Sequence, residues 1–128
     1  MGRLRYSWVI EMYERITNFI EQFEAMNYFG ERQGCIFIYN DTVNAFVKMM
    51  YDGFMVYDYS EVLDKLKERT GTREIYNVPI SALSADEALA CITWAIRADR
   101  FCDGALSVAL EDGFITRCLT RLREFDRK

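Results

Sequence analysis

Residues 84–101 place the strongest constraint on the fold of this chain, because they predict a helix that is apolar over most of its circumference. Ser84 and Glu87 have the spacing of a capping box, in which each side chain satisfies a free backbone N–H at the start of a helix. At 100° per residue, one side carries Ala85, Ala88, Leu89, Ile92 and Ile96, and the opposite side carries Ala90, Trp94 and Phe101. A helix with two apolar sides needs neighbours on both of them. We therefore expect this element to lie at the centre of the fold.

Amphipathic helices are expected before this central element. The apolar residues of 9–23 recur at steps of three and four, which gathers them on one helical face. Residues 41–52 repeat the pattern, and residues 60–70 form a more highly charged version of it. The glycines that follow, Gly53 and Gly71, are expected to take the left-handed conformation that ends many helices.

Two short segments are typical of β-strands. Residues 35–39 (CIFIY) and 54–59 (FMVYDY) are rich in β-branched and aromatic residues, whereas residues 30–34 (GERQG) are typical of a loop. The two strands are expected to pair and to lie against the first helix, because two strands alone are marginally stable in water. The pattern predicts an α+β, predominantly α fold: one compact domain over residues 1–128, with about five or six helices and a short two-stranded β element.

Composition excludes much familiar site chemistry. The chain has 128 residues, a formal charge of −4, four cysteines and no histidine. Because no two cysteines have CxxC spacing, the usual zinc and haem ligand sets and the Ser-His and Cys-His arrangements lack essential members. The carboxylate pairs, Asp99 with Asp103 and Glu111 with Asp112, do not complete an oxygen cage for a cation. We expect no cofactor and no metal site.

The location of the protein also follows from composition. No apolar run approaches the roughly 18 residues needed to cross a bilayer, and acidic residues interrupt the N-terminus before a leader-like apolar stretch develops. We therefore expect a cytoplasmic protein with no membrane partner. Its cysteines are expected to stay reduced and to act as small core residues.

One polar cluster lies at the end of the central helix. Its candidate binding residues are Arg97, Asp99, Arg100, Cys102 and Asp103. The arginines could hold an anion, and Cys102 would become a nucleophile only where arginines lower its pKa and solvent reaches it. The alternative is a structural role, in which Asp103 caps the next helix and the Arg97 guanidinium lies over an aromatic ring.

Asp99 falls among the apolar residues of the central helix. An ionised carboxylate that is buried alone is costly by several kcal/mol. We therefore expect a bidentate partner for Asp99 from a neighbouring helix, either Arg117 or Arg121.

DNA binding is a second functional alternative. Ala109, Gly113, Phe114, Leu119 and Leu122 stand at offsets similar to those of a helix-turn-helix over residues 105–124. The residues that would face a groove are Thr116, Arg117, Thr120, Arg121 and Arg123. The same spacing also describes an ordinary corner between two helices.

Residues 97–125, RADRFCDGALSVALEDGFITRCLTRLREF, resemble the C-terminal signature of a family of small uncharacterised bacterial proteins. Arg97, Asp99, Arg100, Phe101, Cys102, Gly104, Leu106, Gly113, Ile115, Leu119 and Leu122 carry the resemblance, and the signature is R-A-D-R-F-C-(D/E)-G. The resemblance implies a stand-alone bacterial cytoplasmic protein and supplies no activity.

Association with another protein, most simply as a homodimer, is the leading functional hypothesis. Aromatic and methionine side chains are abundant in this small domain, and such side chains are enriched at protein interfaces. The candidate interface residues are Tyr51, Tyr57, Tyr59 and Trp94. The partner would be a second copy of the chain or another protein, and the enzymatic and DNA-binding hypotheses remain open beside it.

Overall fold

The fold is built around one helix that has packing partners on several sides. The computed structural model describes residues 12–127 of the chain. The elements in chain order are helices α1 (Glu14–Thr17) and α2 (Phe19–Ala25), strands β1 (Gly30–Gln33) and β2 (Ile36–Tyr39), helices α3 (Asp41–Gly53) and α4 (Tyr59–Thr70), 3₁₀ turns at Ile75–Asn77 and Ile80–Ala82, and helices α5 (Ala85–Ala98), α6 (Ala105–Asp112) and α7 (Phe114–Asp126). The predicted α+β, mainly helical class is confirmed.

Helix α5 is the predicted central helix. Its capping box forms as expected, with the Glu87 N–H donating to Ser84 Oγ at 3.1 Å and the Ser84 N–H donating to Glu87 Oε1 at 2.8 Å. The helix packs against α4, α6 and α7, which buries Ala90 and partly buries Trp94. It ends at Ala98, so Phe101 lies beyond it and is exposed, contrary to the prediction. Within residues 12–127, no helix reaches the length and apolar content that crossing a bilayer requires.

The β element is a hairpin that differs from the predicted pair of strands. Strand β1 lies in GERQG, the predicted loop, and pairs antiparallel with β2 from Gly30↔Tyr39 to Gln33↔Ile36. The two-residue turn explains this pairing, because Gly34 has φ +64 and closes the strands tightly. The predicted strand at 54–59 is wrong: the Val56 N–H donates to Thr93 Oγ1 on α5 at 3.1 Å, and α4 starts at Tyr59.

Two helix predictions also need correction. Helix α3 ends at Gly53 as expected, but Gly53 is not one of the glycines with positive φ, and the Phe54 N–H satisfies the Met50 carbonyl. The predicted helix over 9–23 is divided at Asn18 into α1 and α2, but Asn18 keeps helical dihedrals (φ −62, ψ −16) and its N–H still donates to the Glu14 carbonyl. The first predicted residues, 9–11, lie outside the described part of the chain. Gly71, by contrast, is left-handed at φ +70.

The core places the cysteines and Trp94 in different environments. Cys91 and Cys118 are buried free thiols, as expected, but Cys35 and Cys102 are exposed free thiols. Trp94, a candidate interface residue, is partly buried and packs edge-on against Tyr76 and Phe114 at the edge of the core. The turn positions of Cys35 and Cys102 explain their exposure, since both follow the end of a regular element.

Candidate functional site

The connection between α5 and α6 holds most of the predicted site residues, and we call residues 99–107 the corner. Helix α5 ends at Ala98, and the chain reverses at Gly104, whose φ is +94. Helix α6 has no side-chain cap of its own. Asp99 supplies one, because its Oδ1 accepts hydrogen bonds from the backbone N–H groups of Gly104 and Leu106, both at 3.0 Å. The carboxylate therefore joins the end of one helix to the start of the next.

The β hairpin closes over the corner through a tyrosine. The Tyr39 hydroxyl donates to Asp99 Oδ1 at 2.7 Å and accepts from the Ser107 N–H at 3.0 Å. Burial and the hydrogen bond to Asp99 raise the pKa of Tyr39 well above its ordinary value of 10.0. Because the phenol stays protonated at neutral pH, Tyr39 remains a donor to the carboxylate.

A second contact joins the hairpin to the same place. Arg32 Nη2 donates to the Asp103 carbonyl at 2.9 Å, and Arg32 Nη1 lies 3.6 Å from Asp103 Oδ2. Arg32 also lies over the Phe37 ring, with its guanidinium carbon 5.9 Å from the ring centroid. The hairpin and the corner are thus connected by polar contacts. We call the residues that make them, Arg32, Tyr39, Asp99, Asp103 and Ser107, the joint.

The predicted arginine partner of Asp99 is wrong. Arg117 pairs with Asp112 at 2.8 Å, and Arg121 pairs with Glu124 at 3.0 Å while donating to the Leu83 carbonyl. The physical reason is position: Asp99 follows the last residue of α5, so it meets the free N–H groups of α6. The predicted capping role belongs to Asp99 and not to Asp103, since α6 begins after Gly104.

The other predicted site residues do not converge on one centre. Asp99 and Arg100 line a surface cleft of about 250 Å³ together with Tyr51. Arg97 lines a separate pocket, and its predicted stacking on a ring is wrong, since no described ring contacts its guanidinium. Cys102 is an exposed thiol in the turn. The five predicted residues therefore lie in four different places. Asp99 and Asp103 belong to the joint, Arg100 lines the cleft, Arg97 lines the pocket, and Cys102 is a surface thiol.

Four of the five residues proposed to contact DNA line one wide groove. Thr116, Arg117, Thr120 and Arg121 face a cavity of about 570 Å³ beside α7, whereas Arg123 lines a smaller one of about 290 Å³. The large groove also contains Glu24, Glu111 and Glu124, and its apolar lining includes Phe23, Phe29 and Leu110.

Each of the three arginines in that set is paired with a carboxylate. Arg117 lies 2.8 Å from Asp112, Arg121 lies 3.0 Å from Glu124, and Arg123 lies 2.6 Å from Glu21. The arginine charges are therefore largely balanced within the protein, and this face of α7 is mixed in charge. Within the described part of the chain, no group of three or more His, Cys, Asp or Glu side chains is placed to hold a metal ion.

Sequence reasoning missed two side chains of the joint, Tyr39 and Arg32. Tyr39 stands in the predicted strand CIFIY, and its side chain alternates with those of Ile36 and Ile38. A tyrosine on the inner face of a strand normally finds a partner for its hydroxyl, and this rule could have pointed to Asp99. Arg32 lies in a segment whose sequence predicts a loop, so no pattern indicated its direction.

Comparison with known proteins places the chain in a group without an assigned activity. The model of the Family of unknown function (DUF6508) matches residues 10–128. Searches of curated proteins and of solved structures find no match. The site therefore has to be interpreted from its own geometry.

Proposed function

The chain belongs to this family of unknown function, and we propose that it works by associating with a second copy of itself through its β hairpin. The observation that carries the proposal is the exposure of Ile36 and Ile38, whose side chains are 56% and 42% accessible. Large β-branched residues that are left in water on a strand are a common mark of an interaction surface.

The hairpin has one occupied face and one open face. Phe37 and Tyr39 point toward the corner, so the alternating residues Ile36 and Ile38 point away from it. Their cross-strand neighbours are Gln33 and Glu31, and the Tyr28 hydroxyl extends the same surface by donating to Glu31 at 2.7 Å. We call Tyr28, Glu31, Gln33, Ile36 and Ile38 the outer hairpin face.

The two strands differ in the charge of the residues along their edges. Strand β2 has the sequence IFIY, with no charged residue, whereas β1 has the sequence GERQ, with Glu31 and Arg32. No third strand joins either edge within residues 12–127. Uncharged, apolar edges are the ones that recruit another strand, and charged edges resist it. Association is therefore expected through β2.

A second copy fits this edge better than a charged partner would. Antiparallel pairing of β2 with the β2 of another copy obeys two-fold symmetry, in which the same surface meets itself. The result is a four-stranded sheet in which Ile36 and Ile38 of the two copies are neighbours. No like charges oppose each other in such a pairing, because β2 carries none.

Sedimentation velocity and light scattering of the full chain test the proposal. We expect a dimer for the wild type and a folded monomer for the double variant Ile36→Thr with Ile38→Thr, since threonine keeps the strand preference and removes apolar area. A wild type that stays monomeric at high concentration, or a double variant that stays dimeric, contradicts the proposal.

Tyr57→Ser is the matched control. Tyr57 is fully exposed and lies between α3 and α4, away from the hairpin. Its replacement is expected to leave the dimer intact. Dissociation by Tyr57→Ser alone would move the interface to the tyrosines that the sequence suggests, Tyr51, Tyr57 and Tyr59.

We assign the dimer to the bacterial cytoplasm, as the C-terminal resemblance implies. All four cysteines are free thiols, and two of them are exposed. Exposed thiols persist where the compartment is reducing. Cell fractionation against a secreted marker protein tests this location, and recovery with the marker contradicts it.

A further inference from the structure

Arg97 is a part-buried arginine that lacks a counter-charge. Three arginines of the described residues, Arg97, Arg121 and Arg123, are neither buried nor exposed. Arg121 and Arg123 each pair with a glutamate. The Arg97 side chain makes no hydrogen bond, ion pair or ring contact with any described residue, and its Nε is closed off from solvent. Water can therefore reach this cation only at the other atoms of the guanidinium.

The helix end compensates for only part of this isolation. Arg97 stands in the last turn of α5, where the free carbonyl groups of the helix favour a cation. That effect is small beside the cost of removing a charged group from water without a partner. An anion bound beside Arg97 would be attracted by its positive charge, which no carboxylate of the described residues pairs with.

Arg97 lines a small pocket at the protein surface. Its volume is about 120 Å³, and its lining consists of Tyr51, Met55, Val56, Tyr57, Tyr59, Thr93 and Arg97. No carboxylate is part of that lining, so the pocket itself does not neutralise Arg97. The hydroxyls of its three tyrosines make no hydrogen bond to the described residues, so each remains available as a donor.

Thr93 is a lining residue that fixes part of the pocket wall and makes no hydrogen bond to Arg97. Its Oγ1 donates to the Leu89 carbonyl at 2.8 Å and accepts from the Val56 N–H at 3.1 Å. The bond from Val56 attaches the 54–58 segment to α5, and the bond to Leu89, which lies within α5, orients the Thr93 hydroxyl. Met55 and Val56 are thereby fixed as an apolar wall beside the cation.

We propose that this pocket is a binding site for a small aliphatic carboxylate. The planar guanidinium of Arg97 matches a carboxylate through two parallel hydrogen bonds. The tyrosine hydroxyls donate to the remaining lone pairs, and the short carbon chain lies against Met55 and Val56. The site is separate from the outer hairpin face and does not depend on self-association.

Charge and volume select the ligand class. A single arginine balances one negative charge, which suits a monocarboxylate better than a phosphate group carrying nearly two. The pocket volume of about 120 Å³ suits a ligand of only a few non-hydrogen atoms, such as propionate. Nucleotides and other ligands that need several hundred Å³ do not fit.

An NMR titration of the full chain with sodium propionate tests the site. Saturable shifts are expected for the Arg97 Nε–Hε resonance and for the Val56 and Thr93 amides. Sodium phosphate and sodium chloride at equal ionic strength serve as comparison arms. Absence of saturable shifts with propionate overturns the proposal, and equal shifts with phosphate or chloride overturn the assignment to carboxylates.

Variants separate recognition by Arg97 from general attraction to positive charge. Arg97→Lys keeps the charge and removes the planar fork, so about a tenfold loss of propionate affinity is expected. Tyr59→Phe removes one donor and is expected to weaken binding by about two- to tenfold. The matched control is Arg100→Gln, an exposed cation three residues away that does not line this pocket. An Arg100→Gln loss as large as that of Arg97→Lys contradicts the proposal.

Discussion

One hydroxyl group connects three parts of the chain that are distant in sequence. Tyr39 belongs to the hairpin, Asp99 follows the central helix, and Ser107 lies in the first turn of α6. The hydroxyl donates to one of these residues and accepts from the other, so both of its hydrogen-bonding capacities are used. Removal of this single oxygen leaves a backbone N–H and a carboxylate each short of a partner.

Replacement of Tyr39 by phenylalanine is expected to lower the free energy of unfolding by about 1–3 kcal/mol, because the Ser107 N–H loses its acceptor in a part-buried place. Urea denaturation followed by circular dichroism measures the change. Tyr28→Phe is the matched control, since the Tyr28 hydroxyl bonds only to the exposed Glu31 and its loss is expected to cost less than about 0.5 kcal/mol. Equal effects of the two substitutions would mean that the hydrogen bonds of the Tyr39 hydroxyl add no more to the free energy of unfolding than an exposed hydrogen bond does.

Glycine at the start of α6 allows the hairpin to approach the corner. Gly104 has φ +94, and a Cβ added to it would lie 3.1 Å from Arg32 Nη2 and 3.3 Å from Phe37 Cδ2. Both the backbone conformation and the close contact therefore favour glycine. The hairpin rests on the corner at this distance because residue 104 has no side chain.

Gly104→Ala is expected to destabilise the protein by about 1–2 kcal/mol or more, from the left-handed backbone alone. Gly53→Ala is the comparison, because Gly53 is helical, has ordinary φ, and leaves open space for 4 Å around an added Cβ. That substitution is expected to be neutral or to stabilise by about 0.5–1 kcal/mol. Thermal and urea unfolding of both variants would reveal the difference, and a stabilising Gly104→Ala would contradict the account of the corner.

An ion pair connects α2 to α7. Glu21 accepts two hydrogen bonds from Arg123, at 2.6 and 3.0 Å, and Arg123 also donates to the Thr17 carbonyl. The hydrogen bond from Arg123 is the main reason that the pKa of Glu21 falls from 4.5 to about 2. Since the folded-state pKa is lower than the ordinary one, the stabilisation is present above pH 4.5 and is lost as the pH falls from 4.5 through about 2.

Carboxyl-carbon NMR of Glu21 measures this linkage directly. In Arg123→Gln, the pKa of Glu21 is expected to return toward its ordinary value of 4.5, because the charged donor is gone. Arg117→Gln is the control, since Arg117 pairs with Asp112 instead. A Glu21 pKa that stays near 2 in the Arg123 variant would show that another group holds it there.

At the scale of the whole molecule, the four cysteines report which parts of the chain are packed. Cys91 on α5 and Cys118 on α7 are both fully buried where these two helices meet. A hydrogen bond to Cys91, followed by burial, raises the pKa of the Cys118 thiol well above its ordinary value of 9.0. A thiol that is both protonated and buried does not react readily.

A thiol reagent such as dithionitrobenzoate is expected to modify two cysteines of the native protein quickly and the other two only after unfolding. The fast pair is Cys35 and Cys102, which are exposed. Mass spectrometry of the partly labelled protein identifies the sites, and a sample in denaturant supplies the total. Fast labelling of Cys91 or Cys118 in the native state would contradict the packing of α5 on α7.

Much of the helical architecture could be predicted from local patterns. The capping box and the two apolar sides of residues 85–98 predicted the central helix because both features depend on neighbours within four residues. The hairpin was only half predicted: Ile36 to Tyr39 have strong strand preferences, but Gly30 to Gln33 have none. The latter became a strand because a tight turn placed them beside β2, where pairing satisfied their backbone.

The sequence by itself determined the mainly helical class, the position of α5 among its neighbours and the absence of histidine chemistry, because periodicity, capping and composition are local or additive properties. Only the tertiary structure decided the partners of charged residues. Asp99 bonds to Tyr39 across 60 positions and not to an arginine, and Arg97 has no described partner while Arg121 and Arg123 do. A side chain's partner depends on where helix ends bring free backbone groups and other side chains, and that placement follows from the packing of the entire fold.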